Sequence, residues 1–200
     1  MWPYRPETSL RLLISIQPIA TMNPMDESPL LDEVFRALDG DGDRERRATG
    51  VARAIRQAGT YRWVGLYEVT EDEIVNLAFD GLGVPAHLCF PVTQGLSGAA
   101  VASGETVLVG DVSKDPRYLT AFGSTRSEII VPIVDRAGRK VVGTIDVESE
   151  KVDAFSEEDR ATLERCAAAA TKLSNNGAGE LAAASARSLT PSHRPKVTSV

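Results

Sequence analysis

The chain has 200 residues, 42% hydrophobic and 25% charged, the balance of one globular domain with room for tails. A net charge of −6 leaves no basic surplus to neutralise phosphates, which argues against nucleic-acid or anionic-membrane partners. Two cysteines, Cys89 and Cys166, exclude a disulfide scaffold and a cysteine-rich zinc module, and no apolar run is long enough to span a bilayer.

Residues 1–24 carry a short apolar patch, Leu12 to Ile16, behind Arg5 and Arg11. Gln17 and Pro18 break it before it resembles a secretory h-region, so the segment reads as a disordered leader and the protein as cytoplasmic. Ser28-Pro29 opens a helix with an apolar stripe of Leu30, Leu31, Val34, Phe35 and Leu38. The acids from Asp39 to Asp43 alternate as in a calcium loop. Arg44 and Gly50, however, stand where the turn glycine and the bidentate glutamate belong, so the segment reads as a solvated turn. A second helix follows from about Arg44 to Gln57, with Ala48, Val51, Ala52 and Ile55 on its apolar side.

The pattern then changes to strands. Tyr61 to Val69 is rich in aromatic and β-branched residues, and Ile74 to Phe79 returns as a hairpin partner. Leu88, Phe90 and Val92 alternate with His87, Cys89 and Pro91 in a third strand. Gly95 to Ser103 is a short small-residue helix, and Thr106 to Val109 a fourth strand. A polar loop covers about Asp111 to Ser127; strands from Glu128 to Val134 and from Lys140 to Val147 follow. Ser156 caps a last helix whose stripe is Leu163, Cys166, Ala167, Ala170 and Leu173. The composition from 175 to 200 predicts a disordered tail. The order implies an α+β fold, an antiparallel sheet with helices packed on it.

The segments GLSGAAVASGETVLVGDVSKDPRYL, RSEIIVPI and GTIDVESEKVDAFSEEDRATLE together resemble a GAF domain, placed at residues 25–174. The resemblance implies a sheet of about six strands flanked by N- and C-terminal helices, and dimerisation through the terminal helices. Within that family WVGLY, from Trp63 to Tyr67, is similar to the free methionine-(R)-sulfoxide reductases. The resemblance carries that branch's ligand-holding positions onto Trp63, Tyr67, Glu128, Asp146 and Glu148. It carries the cysteine positions onto Ala121, His87 and Ser97, none of which is a thiol. Reduction of a sulfoxide by thiols needs an attacking thiolate and a second thiol to close a disulfide. Cys89, two residues after His87, is the one candidate for a displaced thiol, if a strand puts both on one face. Cys166 reads as core.

Trp63, Gly65 and Tyr67 share one strand face; Val142, Thr144, Asp146 and Glu148 share another. If both line one cavity, three carboxylates and aromatic walls favour a ligand with an ammonium group and an apolar part. The same residues serve equally well as framework. No metal and no cofactor is expected, and Arg117 and Arg126 are minor candidates for an anionic ligand group. Three readings stand: a stand-alone sensory module binding an amine-like metabolite, a reductase with atypical residues, and a structural dimerisation module.

Overall fold

The computed structural model describes residues 28–59, 61–138 and 140–187. The leader read in residues 1–24 lies outside the described residues, as does the end of the tail beyond Arg187.

Two helices come first, α1 (Pro29–Asp39) and α2 (Arg44–Gly59). The strands are β1 (Trp63–Val69), β2 (Glu73–Gly81), β3 (Cys89–Pro91), β4 (Val107–Val109), β5 (Ser127–Val134) and β6 (Val141–Ser149). Helix α3 (Gly95–Ser103) lies between β3 and β4, and α4 (Glu157–Arg187) follows β6. The strands form a single sheet in the order β3-β2-β1-β6-β5-β4, antiparallel throughout. The predicted α+β architecture is therefore observed.

The sheet has two covered faces. On one, Val64, Leu66, Ile129, Val131, Ile145 and Val147 meet α1, α2 and α4 through Val34, Val51, Ile55, Leu163 and Cys166. This is the main core. At about 25 cal/mol per Å² of apolar surface, its burial is the dominant favourable term in folding. On the other face α3 and the loops cover the alternate residues of the same strands, Trp63, Tyr67, Glu128, Ile130 and Asp146. Burial on both sides explains why β5 and β6 show no polar, exposed alternation: their alternate residues include acids, yet all of 127–133 and 143–149 are buried.

Three local readings are revised. Phe35 is 42% exposed rather than core, because α1 packs through Val34 and Leu38 while the Lys172 ammonium lies 5.3 Å from the Phe35 ring. Helix α4 continues past Leu173 to Arg187, beyond its predicted end. Strand β3 is only three residues long, an edge strand on which Pro91 removes no needed donor.

Candidate functional site

Strand register assembles the site. Glu128 on β5 pairs with Glu148 on β6, which pairs with Trp63 on β1. One step along, Ile130 pairs with Asp146, which pairs with Gly65. The predicted faces of β1 and β6 are therefore one continuous surface. Gly65 is a requirement of that surface. The indole of Trp63 folds over it, and a Cβ at position 65 would also come within 2.9 Å of Tyr67 Cε2. Glycine leaves room for both aromatic rings, whose centroids lie 6.3 Å apart with planes tilted by 52°.

Ligand-competent oxygens of Glu128, Asp146 and Glu148 all lie within 4.8 Å of one another. All three residues are buried, at 6%, 6% and 0% exposure. Thr125 Oγ1 donates to Glu148 Oε2, and the hydrogen-bonding approach of Glu128 and Asp146 favours the proton on Glu128. Glu128 Oε2, Asp146 Oδ1 and Glu148 Oε1 remain without a hydrogen-bond partner, as do the nearby Thr144 Oγ1 and Trp63 Nε1. Burial, followed by the repulsion of the neighbouring carboxylates, drives Glu128 and Asp146 well above the ordinary carboxyl range. Glu148 is raised to about 7 by burial, against the pull of its Thr125 hydrogen bond and the Arg62 charge. Burial and the same three acids raise the Tyr67 phenol, so it stays neutral.

The cavity over this surface is lined by Tyr67, Glu128 and Asp146 and also by His87, Ser97 and Ala121. The three positions carried over as cysteine sites thus converge on the carboxylates, although nothing in their separate sequence neighbourhoods announces it. Trp63 and Glu148 do not line the cavity; they are fully buried just beyond its wall.

Cys89 does not share the cavity with His87. The strand begins only at Cys89, so the alternation cannot reach back to His87. Cys89 is exposed on the sheet edge, where desolvation and then its hydrogen bond with Glu73 raise its thiol above the ordinary range. Cys166 is buried in the main core, and burial pushes its thiol up to about 11. Neither thiol reaches the cavity. Arg117 is held by Asp115 in a two-pronged salt bridge and is likewise absent from the cavity lining. Larger surface depressions, of about 650 Å³ between α1 and α2 and 670 Å³ beside α3, contain none of these acids. No helix of the described residues is long and apolar enough to cross a membrane.

Comparison with known proteins gives a consistent picture. The GAF domain-containing protein A of Dictyostelium discoideum is 29% identical over 137 residues, 67% of this chain and 83% of that protein. The type II free methionine-R-sulfoxide reductase of Thermoplasma acidophilum superposes with a TM-score of 0.61 at 32% identity, covering 66% of this chain and 94% of that one. The free methionine-R-sulfoxide reductase of Neisseria meningitidis, solved with its substrate, gives 0.65 at 30% identity, over 72% and 84% of the two chains. The family profile of the GAF domain matches residues 43–172, which span the sheet, α3 and the three acids, and the chain belongs to the GAF domain family.

Proposed function

We propose that this GAF domain binds a small metabolite bearing an ammonium group, an amino acid or a close derivative, and serves a sensory or regulatory role. One observation carries the reading: three buried carboxylates converge within 4.8 Å, and each keeps an oxygen with no hydrogen-bond partner. Burying like charges together is costly unless a counter-charge joins them. An ammonium group brings one positive charge and three donors, and the unpartnered oxygens of Glu128 and Asp146 belong to residues that line the cavity. Tyr67 and Phe90, 5.8 Å apart and edge to face, supply an apolar wall. The Neisseria meningitidis relative, solved with its substrate, supports an amino-acid-sized ligand.

The test is a thermal-shift titration with L-methionine, its sulfoxide, other amino acids and simple amines. Ligands that bind the folded state raise the apparent melting temperature. A shift with L-methionine that vanishes with N-acetyl-L-methionine, which lacks the ammonium, is expected. Equal shifts with both, or none with any amine, would overturn the reading.

The second reading is reduction of free methionine sulfoxide, favoured by the similarity to the Thermoplasma and Neisseria reductases. It requires two electrons from thiols, with the sulfoxide oxygen leaving as water and the thiols joining as a disulfide. The positions of Cys89 and Cys166 do not support a protein thiol in that role. Sulfoxide consumption with dithiothreitol that is lost in Cys89→Ser would establish it instead.

A further inference from the structure

We propose that Arg62 is a positioning residue for this site: from outside the cavity it fixes Thr125 against Glu148 and supplies the positive charge that holds Glu148 as a carboxylate for an ammonium group. The inference rests on the amine-binding reading for what that charge attracts; the placement of Arg62 stands apart from it.

Arg62 immediately precedes β1, and its backbone N–H donates to the Glu148 carbonyl at 3.0 Å. Its guanidinium joins three further segments. Nε donates to Ser124 Oγ at 2.7 Å and pairs with Glu150 at 3.2 Å, and Nη1 donates to the Leu82 carbonyl at 3.3 Å. It also lies 4.5 Å from the Phe122 ring centroid, and Phe122 in turn packs on the Trp63 indole, centroids 5.6 Å apart. Ser124 is the chain neighbour of Thr125, whose hydroxyl donates to the Glu148 carboxyl group. Arg62 therefore grips both the backbone of Glu148 and the segment that orients its side chain. A planar fork with five donors suits such a junction, where a lysine would offer a single point of charge.

The groups facing Glu148 are Glu128 on β5, Asp146 on β6, the phenols of Tyr67 on β1 and Tyr118 in the loop before β5, and Arg62. Arg62 alone among them is positive. Its side chain is 17% exposed, so water screens its field only in part, while its partner Glu150 is 59% exposed and better solvated. Burial drives Glu128 and Asp146 well above the carboxyl range, whereas the Thr125 hydrogen bond and the Arg62 charge hold Glu148 back to about 7. Near neutral pH the ligand-free triad thus carries its negative charge on Glu148. That charge lies within 4.8 Å of the oxygens of Glu128 and Asp146, the two acids that line the cavity.

Carbon-13 NMR of the full ligand-free chain, labelled in its glutamate side chains, reads the Glu148 titration, identified by its loss in Glu148→Gln. Arg62→Gln should raise that midpoint by about one pH unit, and Arg62→Lys, which keeps the charge, by less than about half as much. No rise in Arg62→Gln, or equal rises in both variants, overturns the proposal. L-Methionine is then titrated against the same variants by calorimetry. A rise of about one unit cuts the ionised fraction at pH 7 from about half to about a tenth, so Arg62→Gln should bind about fivefold more weakly there. At pH 8.5 it should bind nearly as well as the unmodified chain. A loss of the same size at both pH values assigns Arg62 to the framework and overturns the proposal. If the unmodified chain binds no amine, the amine reading fails, and the carbon-13 titration still decides whether Arg62 holds the charge of Glu148.

Discussion

Glu128 and Glu148 are register partners on neighbouring strands, with both carboxyl groups buried on the same face of the sheet. Like charges directly opposite one another destabilise an antiparallel pair, and burial deepens the penalty. Asp146, close by on β6, completes the conflict. The ligand-free domain relieves it by holding protons; a cation would relieve it by neutralising charge.

Stability should therefore fall as pH rises. A carboxyl group whose folded pKa is raised binds its proton more tightly in the native state. Its contribution is complete below the unfolded value near pH 4 and is lost as pH climbs through the folded value. For Glu148, raised from 4.5 to about 7, the loss is on the order of 3 kcal/mol across that window. Glu128 and Asp146, raised in the same direction by burial and neighbouring carboxylates, add to the decline. Asp159 and Glu164, whose values are lowered, act oppositely and weaken the fold only as pH falls below about 4. Urea unfolding of the ligand-free protein should show maximal stability near pH 4–5, and a flat profile from pH 5 to 8 would falsify the coupling of the three acids.

Ligand binding should show the reverse dependence. The ammonium needs ionised carboxylates, so its binding releases protons and strengthens from pH 6 to 8. Calorimetry with L-methionine in buffers of different ionisation enthalpy measures that release. Affinity that weakens with rising pH while the amine stays charged would contradict it.

Glu128→Gln should separate stability from binding. The amide keeps a donor toward Asp146 and removes a buried group that would ionise as pH rises. The ligand-free variant is expected to gain about 1–2 kcal/mol while losing its stabilisation by L-methionine, the exchange that strained binding sites commonly show. Thermal unfolding with and without the amino acid gives both numbers. A variant that is less stable and still responds would assign Glu128 to the framework.

Gly65→Ala should cost about 1–3 kcal/mol, because the added methyl meets Trp63 and Tyr67 and forces their rings apart. Chemical denaturation measures the loss, and near-ultraviolet circular dichroism follows the rings. An unchanged aromatic signal would mean that the pair is free to relax.

Cys89→Ser should leave stability within about 0.5 kcal/mol, since the residue is exposed at the sheet edge. Amine binding should be equally indifferent. Loss of binding in this variant would place the edge strand within the site after all.

The sequence alone determined most of the skeleton. The helical stripe of α2, the small-residue helix α3 and five of the buried positions of α4 follow from local periodicity and capping, which act within a few residues. The set of acids was also legible, through the resemblance carried by RSEIIVPI and GTIDVES and through the two-residue alternation of Asp146 and Glu148. What local pattern could not supply was the meeting of strands distant in sequence. Only register across β5, β6 and β1 sets Glu128 against Glu148 and Trp63, and only the path of the loop brings His87, Ser97 and Ala121 to one cavity. The exposure of Cys89 and the seating of Phe122 on Trp63 were decided the same way. Where a strand ends and which loop folds over it depend on packing between remote segments, which leaves no periodic trace in the chain.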